Sequence, residues 1–122
     1  MADDKQTVLI VDDDHVILDF LEDVLQGSYT VIRADNGKAA VAAFGAHENI
    51  DLVLLDLAMP LMSGYDALAE IQIMEPDVKV VVVTGVIPVH ENLPGILGVL
   101  TKPFGAAQIA ATVKDVLNTY SP

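Results

Sequence analysis

Apolar and polar positions fall in blocks along this chain, and the spacing within the blocks changes from one to the next. Thr7–Val11 (TVLIV) is a short apolar run that predicts a strand. From His15 the spacing lengthens. Val16, Ile17, Phe20, Leu21, Val24 and Leu25 recur at one-turn intervals, which predicts the inner face of a helix. Asp14 is placed to cap its start and Gly27 its end, while Asp19, Glu22 and Asp23 take the outer face. Tyr29–Arg33 is β-branched and predicts a second strand. Asp35-Asn36-Gly37 then supplies turn and cap chemistry for an alanine-rich helix, from Lys38 to about His47. Ile50–Leu57 is too continuous for a one-faced strand and predicts burial on both faces. A loop with proline, serine and glycine leads to a third helix, Tyr65–Met74, stopped before Pro76. Lys79–Val83 is the most strand-like run. Val99–Leu100 predicts a brief fifth strand and Ala106–Leu117 a last helix, with Ile109, Val113, Val116 and Leu117 inward.

Strands that alternate with helices, and are apolar throughout, predict an α/β fold: an open parallel sheet with helices on both faces and right-handed crossovers. Ligands of such sheets sit outside the carboxyl ends of the strands. The polar residues at those ends are therefore the candidates for chemistry. Strand one ends in Asp12-Asp13-Asp14, strand three in Asp56, strand four in Thr84, and strand five in Thr101-Lys102. As parallel neighbours, these groups would share one rim.

Carboxylates about 4 Å apart repel by roughly 4 kcal/mol at an effective dielectric near 20, so such a cluster calls for a cation. Mg²⁺ takes oxygens in an octahedron, commonly from one or two carboxylates, waters and phosphates. A carboxylate can also attack phosphorus to give an aspartyl phosphate, while Lys and Thr stabilise the transferred oxygens. Asp56, flanked by Leu54, Leu55 and Leu57, is the hardest of the acids to explain structurally, because buried charge persists only when paired or metal-bound. Asp14 reads as a helix cap. Thr84 and Lys102 mean little singly; the signal is their order, each at a strand end.

Composition narrows the reading further. At 122 residues, 52% of them hydrophobic, the chain fits one ordered domain over 1–122 that buries about two-thirds of its unfolded surface. Six basic residues stand against 18 acidic, a formal net of −12, and the basic ones are scattered. That argues against nucleic acid or an anionic membrane as a direct partner. No apolar stretch reaches the roughly 18 residues of a membrane helix. The start, MADDKQ, is acidic where a secretory signal would be basic, and there is no cysteine; a cytoplasmic location is expected. His15, His47 and His90 lie on separate elements without metal-ligand spacing and read as surface or cap residues.

VLIVDDD, LVLLDLAMPLMSG, VVVTG and LTKPF, in that order, resemble the receiver domain of two-component response regulators across nearly the whole chain. The resemblance implies a flavodoxin-like strand order 2-1-3-4-5. It implies that Asp56 takes a phosphoryl group from a histidine kinase or histidine phosphotransfer protein. Asp12 and Asp13 would hold Mg²⁺ with Asp56 and the carbonyl of Ala58, and Thr84 and Lys102 would contact the phosphoryl oxygens. The Lys102–Pro103 bond would be cis, and the first helix with the loop after Lys102 would dock the kinase. Such a domain catalyses only its own phosphorylation and dephosphorylation and is not otherwise an enzyme. With nothing after Pro122, its output would pass through a downstream protein target or a missing output domain.

One segment and three residues depart from the family. GVIPVHENLPGILGVLT between Thr84 and Lys102 is rich in proline and glycine, so the helix between strands four and five should be short or missing. Val99 stands where an aromatic ring usually turns inward with the Thr. Ala58 and Val86, two beyond Asp56 and Thr84, cannot orient a hydrolytic water.

Other readings meet specific obstacles. A haloacid-dehalogenase-type phosphatase needs a second Asp two residues past its nucleophile, and Ala58 is there. A flavodoxin-like carrier needs a Ser/Thr/Gly phosphate loop where this chain has DDDH. A degenerate receiver that works without phosphate would fit Val99 and the short segment, though not the intact acidic set.

Overall fold

The computed structural model describes residues 5–59, 62–85 and 95–119. Five strands alternate with helices: β1 (Thr7–Val11), α1 (His15–Leu25), β2 (Thr30–Ala34), α2 (Gly37–Ala46), β3 (Ile50–Asp56), α3 (Gly64–Met74), β4 (Val80–Thr84), β5 (Ile96–Thr101) and α4 (Ala106–Thr119). The strands form one sheet, every neighbouring pair parallel, in the order β2-β1-β3-β4-β5. Alternate strand residues feed two separate cores. Val8, Ile10, Leu52, Leu54, Val81 and Val83 pack under α1 and α4. Leu9, Val11, Val53, Leu55, Val80 and Val82 pack under α2 and α3. This is why the strands read as unbroken apolar runs.

Two irregularities set the register. Between Thr7 and Val8 the β1–β3 pairing skips Asp51, whose Oδ2 accepts the Thr7 N–H at 2.8 Å. The β4–β5 pairing shifts in the same way between Val80 and Val81. Beyond these shifts Val11 lies opposite Leu55, Asp56 opposite Val83, and Thr84 opposite Thr101. The groups that follow the strands therefore emerge level with one another.

Side chains cap three helix starts, those at Asp14 and Asn36 as the sequence predicts. Asp14 Oδ1 accepts the Val16 N–H at 2.9 Å, Asn36 Oδ1 the Ala39 N–H at 2.7 Å, and Ser63 Oγ the Asp66 N–H at 3.2 Å. The end of α1 differs from expectation. Gln26, in helical conformation, caps it by donating to Glu22 O, and Gly27 does not take a left-handed conformation.

The inner face of α1 is also narrower than the apolar pattern suggests. Leu18, Leu21 and Leu25 are buried, Ile17, Phe20 and Val24 are half-buried, and Val16 is 74% exposed. The sheet covers only the i, i+3, i+7 line, and Val16 in the first turn lines a groove with Pro103 and Phe104 instead. The inward set of α4 (Ile109, Val113, Val116, Leu117) is as expected. β5 is longer than Val99–Leu100; its glycine and its edge position weaken the periodic signal. The expected short or missing helix between β4 and β5, with Val86 and His90, falls on residues 86–94, outside the described residues.

The phase of α1 gives the first test. Leu18→Ala should destabilise the fold by about 2–5 kcal/mol and Val16→Ala by no more than about 0.5 kcal/mol. Asp14→Ala should cost about 1 kcal/mol. Urea unfolding followed by circular dichroism measures all three.

Candidate functional site

The carboxyl rim of the sheet brings the candidate residues together as their strand positions imply. One carboxylate oxygen from each of Asp12, Asp13 and Asp56 lies within 4.8 Å of the others. Asp12 is fully buried, Asp56 nearly so, and Asp13 is exposed. The two buried acids are held alike. Asp12 Oδ1 accepts the N–H of Asp14 at 2.9 Å, and Asp56 Oδ1 accepts the N–H of Ala58 at 3.1 Å. Each acid thus turns its own backbone two residues on, a local habit of Asp at the ends of strands. These two amides are site components that the sequence reading missed; an Asp followed two residues later by any non-proline residue is too common to flag them.

The second oxygens point to Lys102. Its Nζ lies 2.8 Å from Asp12 Oδ2 and 3.4 Å from Asp56 Oδ2. The Asp12 contact is the shorter of the two and is charge-assisted, though its angle departs from hydrogen-bond alignment. Lys102 is carried to this point by β5, its own N–H donating to Thr84 O at 2.8 Å, and its bond to Pro103 is cis. Thr84 is buried and stands one residue past the Val83–Asp56 pairing. Ala58 is exposed at the same rim. Gly64 closes the far side. It donates to Leu57 O at 3.0 Å, and a Cβ there would fall 2.2 Å from Asp56 O, so only glycine fits.

The remaining polar candidates lie elsewhere. His15 pairs with Asp35 at 3.1 Å, and His47 contacts Ala43 O at 2.8 Å, both on the surface. Arg33 reaches Asp19 at 2.8 Å and Glu22 at 2.7 Å, so part of the acidic outer face of α1 is neutralised from β2. Val99 is 46% exposed on β5.

Residues 8–114 match the response regulator receiver domain family. The chain belongs to that family. Among curated relatives, a probable transcriptional regulator ycf27 of Porphyridium aerugineum is 34% identical over 93% of this chain and 48% of its own length. The chain thus spans about half the length of that relative. A CheY-like receiver domain from Methanospirillum hungatei superposes with a TM-score of 0.82 at 27% identity, covering 94% of this chain and 95% of that one. The response regulator TrrA of Thermotoga maritima, solved in complex with Mg²⁺–BeF, gives 0.81 at 30% identity, covering 91% and 98%.

Electrostatics at this receiver's rim follow from burial. Burial raises the Asp56 carboxyl above its ordinary value, and the nearby Asp12 charge adds to it. The Ala58 N–H and Lys102 pull the other way without cancelling the rise. For Lys102, burial lowers the ammonium, but contact with Asp12 and then Asp56 outweighs this and raises it. A carboxyl raised by folding stabilises below its unfolded value near 3.8 and loses that contribution as pH climbs through the folded value. Ionised Asp56 therefore costs stability at neutral pH. The raised Lys102 contributes below about 10.5 and is lost as pH rises through its folded value.

Two substitutions follow in metal-free buffer. Asp56→Asn should raise stability at pH 7 by on the order of 1 kcal/mol, and the gain should shrink as pH falls toward 4. Lys102→Met should cost about 3 kcal/mol by leaving Asp12 buried without its partner. Thermal unfolding at pH 4, 7 and 9 checks both signs.

Proposed function

We propose that Asp56 is the phosphoacceptor of this receiver domain, taking its phosphoryl group from the phosphohistidine of a histidine kinase or a histidine phosphotransfer protein. The nitrogen–phosphorus bond breaks, an oxygen–phosphorus bond forms at an Asp56 carboxylate oxygen, and the departing imidazole takes up a proton. One observation carries this reading. Two buried carboxylates, each with one oxygen already satisfied by a backbone N–H, share one ammonium at 2.8 and 3.4 Å beside a third carboxylate.

The rim also fits a divalent cation. With Lys102 paired, its three carboxylates keep a formal charge of −2, and Asp12 Oδ2 has no hydrogen bond. Asp12, Asp13, Asp56 and the Ala58 carbonyl would hold Mg²⁺, a hard cation suited to oxygen ligands. Bound there, Mg²⁺ supplies charge neutralisation between carboxylate and phosphate. Lys102, already within reach of Asp56, and Thr84 stabilise the transferred oxygens. The TrrA complex with Mg²⁺–BeF supports the same assignment by analogy.

The groove of about 220 Å³ between α1 and the start of α4, lined by Val16, Ile17, Phe20, Pro103 and Phe104, supports docking of the phosphodonor beside Lys102. The domain acts on itself alone, works in the cytoplasm, and passes its signal by protein contact, either to a separate target or to an output domain.

Incubation with acetyl phosphate and Mg²⁺, followed by intact mass, tests the assignment. The wild type should gain one phosphoryl group. Asp56→Asn should gain none, and Asp13→Ala should gain little because the cation is held weakly. Absence of any adduct on the wild type would reject the reading. Ala58 offers no polar group to an attacking water, so Ala58→Asn should shorten the lifetime of the adduct several-fold, to the extent that an oriented general-base contact speeds hydrolysis. An unchanged lifetime would show that water access is set elsewhere.

A further inference from the structure

The chain that leaves Asp56 for α3 is approached by a second glycine from a different element. Gly37 is the first residue of α2. A Cβ built there would lie 2.4 Å from the Met62 carbonyl oxygen, about 1 Å short of ordinary contact, and 2.9 Å from both Met62 Cβ and Cγ. Gly95 alone among the described glycines has positive φ, so Gly37 supplies room rather than an unusual conformation. The start of α2 has little freedom to retreat. Asn36 Oδ1 binds the Ala39 N–H at 2.7 Å, Asn36 O accepts the Ala40 N–H at 3.0 Å, and Ala40 is fully buried.

Met62 stands two residues before Gly64, which itself lies against Asp56 O and Leu57 Cα. The start of α2 therefore bears on Met62, at the α3 end of the connection that follows β3, and the start of α3 bears on Asp56 and Leu57 at its other end. That connection includes Ala58, whose N–H orients Asp56. Mg²⁺ requires near-octahedral oxygens at about 2.0–2.1 Å. Binding groups must be held within roughly 0.5 Å of productive geometry, so a 1 Å displacement exceeds what the site tolerates.

We infer that Gly37 is a positioning residue for the cation site: it lets α2 close onto Met62 and so fixes the Ala58 carbonyl and the Asp56 backbone where a cation can use them. This rests on the Mg²⁺ assignment made under the proposed function. Gly37 touches neither cation nor phosphate; it acts through Met62. Alanine is the better helix former, which favours survival of the fold in Gly37→Ala.

Calorimetric titration of Mg²⁺ into the wild type, Gly37→Ala, Gly37→Ser and Val78→Ala tests the role. Val78→Ala truncates the core under α2 and α3 just before β4 begins, at the end of the sheet away from the rim, and serves as a control for general loosening. Both Gly37 variants should bind Mg²⁺ at least tenfold more weakly, in line with the cost of a 1 Å misplacement. Val78→Ala should stay within twofold of the wild type. At saturating Mg²⁺, phosphorylation of Gly37→Ala by acetyl phosphate should recover toward the wild-type maximum, a split that a globally damaged domain would not give. Should Gly37→Ala not unfold cooperatively, Met62→Ala decides. Several-fold weaker binding supports the role, and binding within twofold of the wild type overturns it. Unchanged affinity in a folded Gly37→Ala, or an equal loss in Val78→Ala, also overturns it. A wild type that binds no Mg²⁺ overturns the cation site itself, and with it any role for Gly37.

Discussion

Two buried carboxylates share one ammonium at the rim of this receiver domain, and much of its organisation answers that constraint. Asp12 follows β1 and Asp56 ends the adjacent β3 at the same level, so burial sets their charges against each other. Lys102 lies between them but aligns a hydrogen bond only with Asp56. One ammonium cannot satisfy two buried acids and an exposed third. Burial first, and the Asp12 charge after it, raise the carboxyl of Asp56 beyond what the Ala58 N–H and Lys102 offset. Stability is thus given up at the place where a cation and a phosphoryl group would relieve the strain.

The scaffold holds this arrangement by backbone devices more than by side chains. Register shifts at the starts of β1 and β5 align the strand ends. Amides two residues beyond each buried acid fix one oxygen apiece. Gly64 admits the start of α3 against Asp56 and Leu57, and Gly37 admits the start of α2 against Met62. Two apolar cores, one on each face of the sheet, keep the strands from sliding past one another.

Most of this was legible in the sequence because the informative residues sit at punctuation points. Asp12, Asp56, Thr84 and Lys102 each close an apolar run, and four such endings in order indicate a rim without knowledge of any contact. Continuous strands likewise announced burial on both faces. Periodicity misjudged α1, where six apolar residues suggested a broad inner face. Only Leu18, Leu21 and Leu25 are fully covered, because the width of the sheet, a tertiary property, decides which positions pack. The register shifts were not legible either. The one at β1 depends on a hydrogen bond between Asp51 and Thr7, which are distant in sequence. The approach of Gly37 to Met62 is hidden for the same reason, since a glycine at a helix start reads as turn chemistry until the neighbouring element is seen.

If the buried acids are a cation site held ready by Lys102, the folded state should be measurably linked to Mg²⁺. Thermal unfolding of the wild type across a MgCl₂ series at constant ionic strength measures that linkage directly. The midpoint should climb with Mg²⁺, by an amount equivalent to about 2.7 kcal/mol at one hundred times the dissociation constant, and Asp12→Asn should abolish most of the rise. A midpoint indifferent to Mg²⁺, or an equal rise in Asp12→Asn, would contradict it.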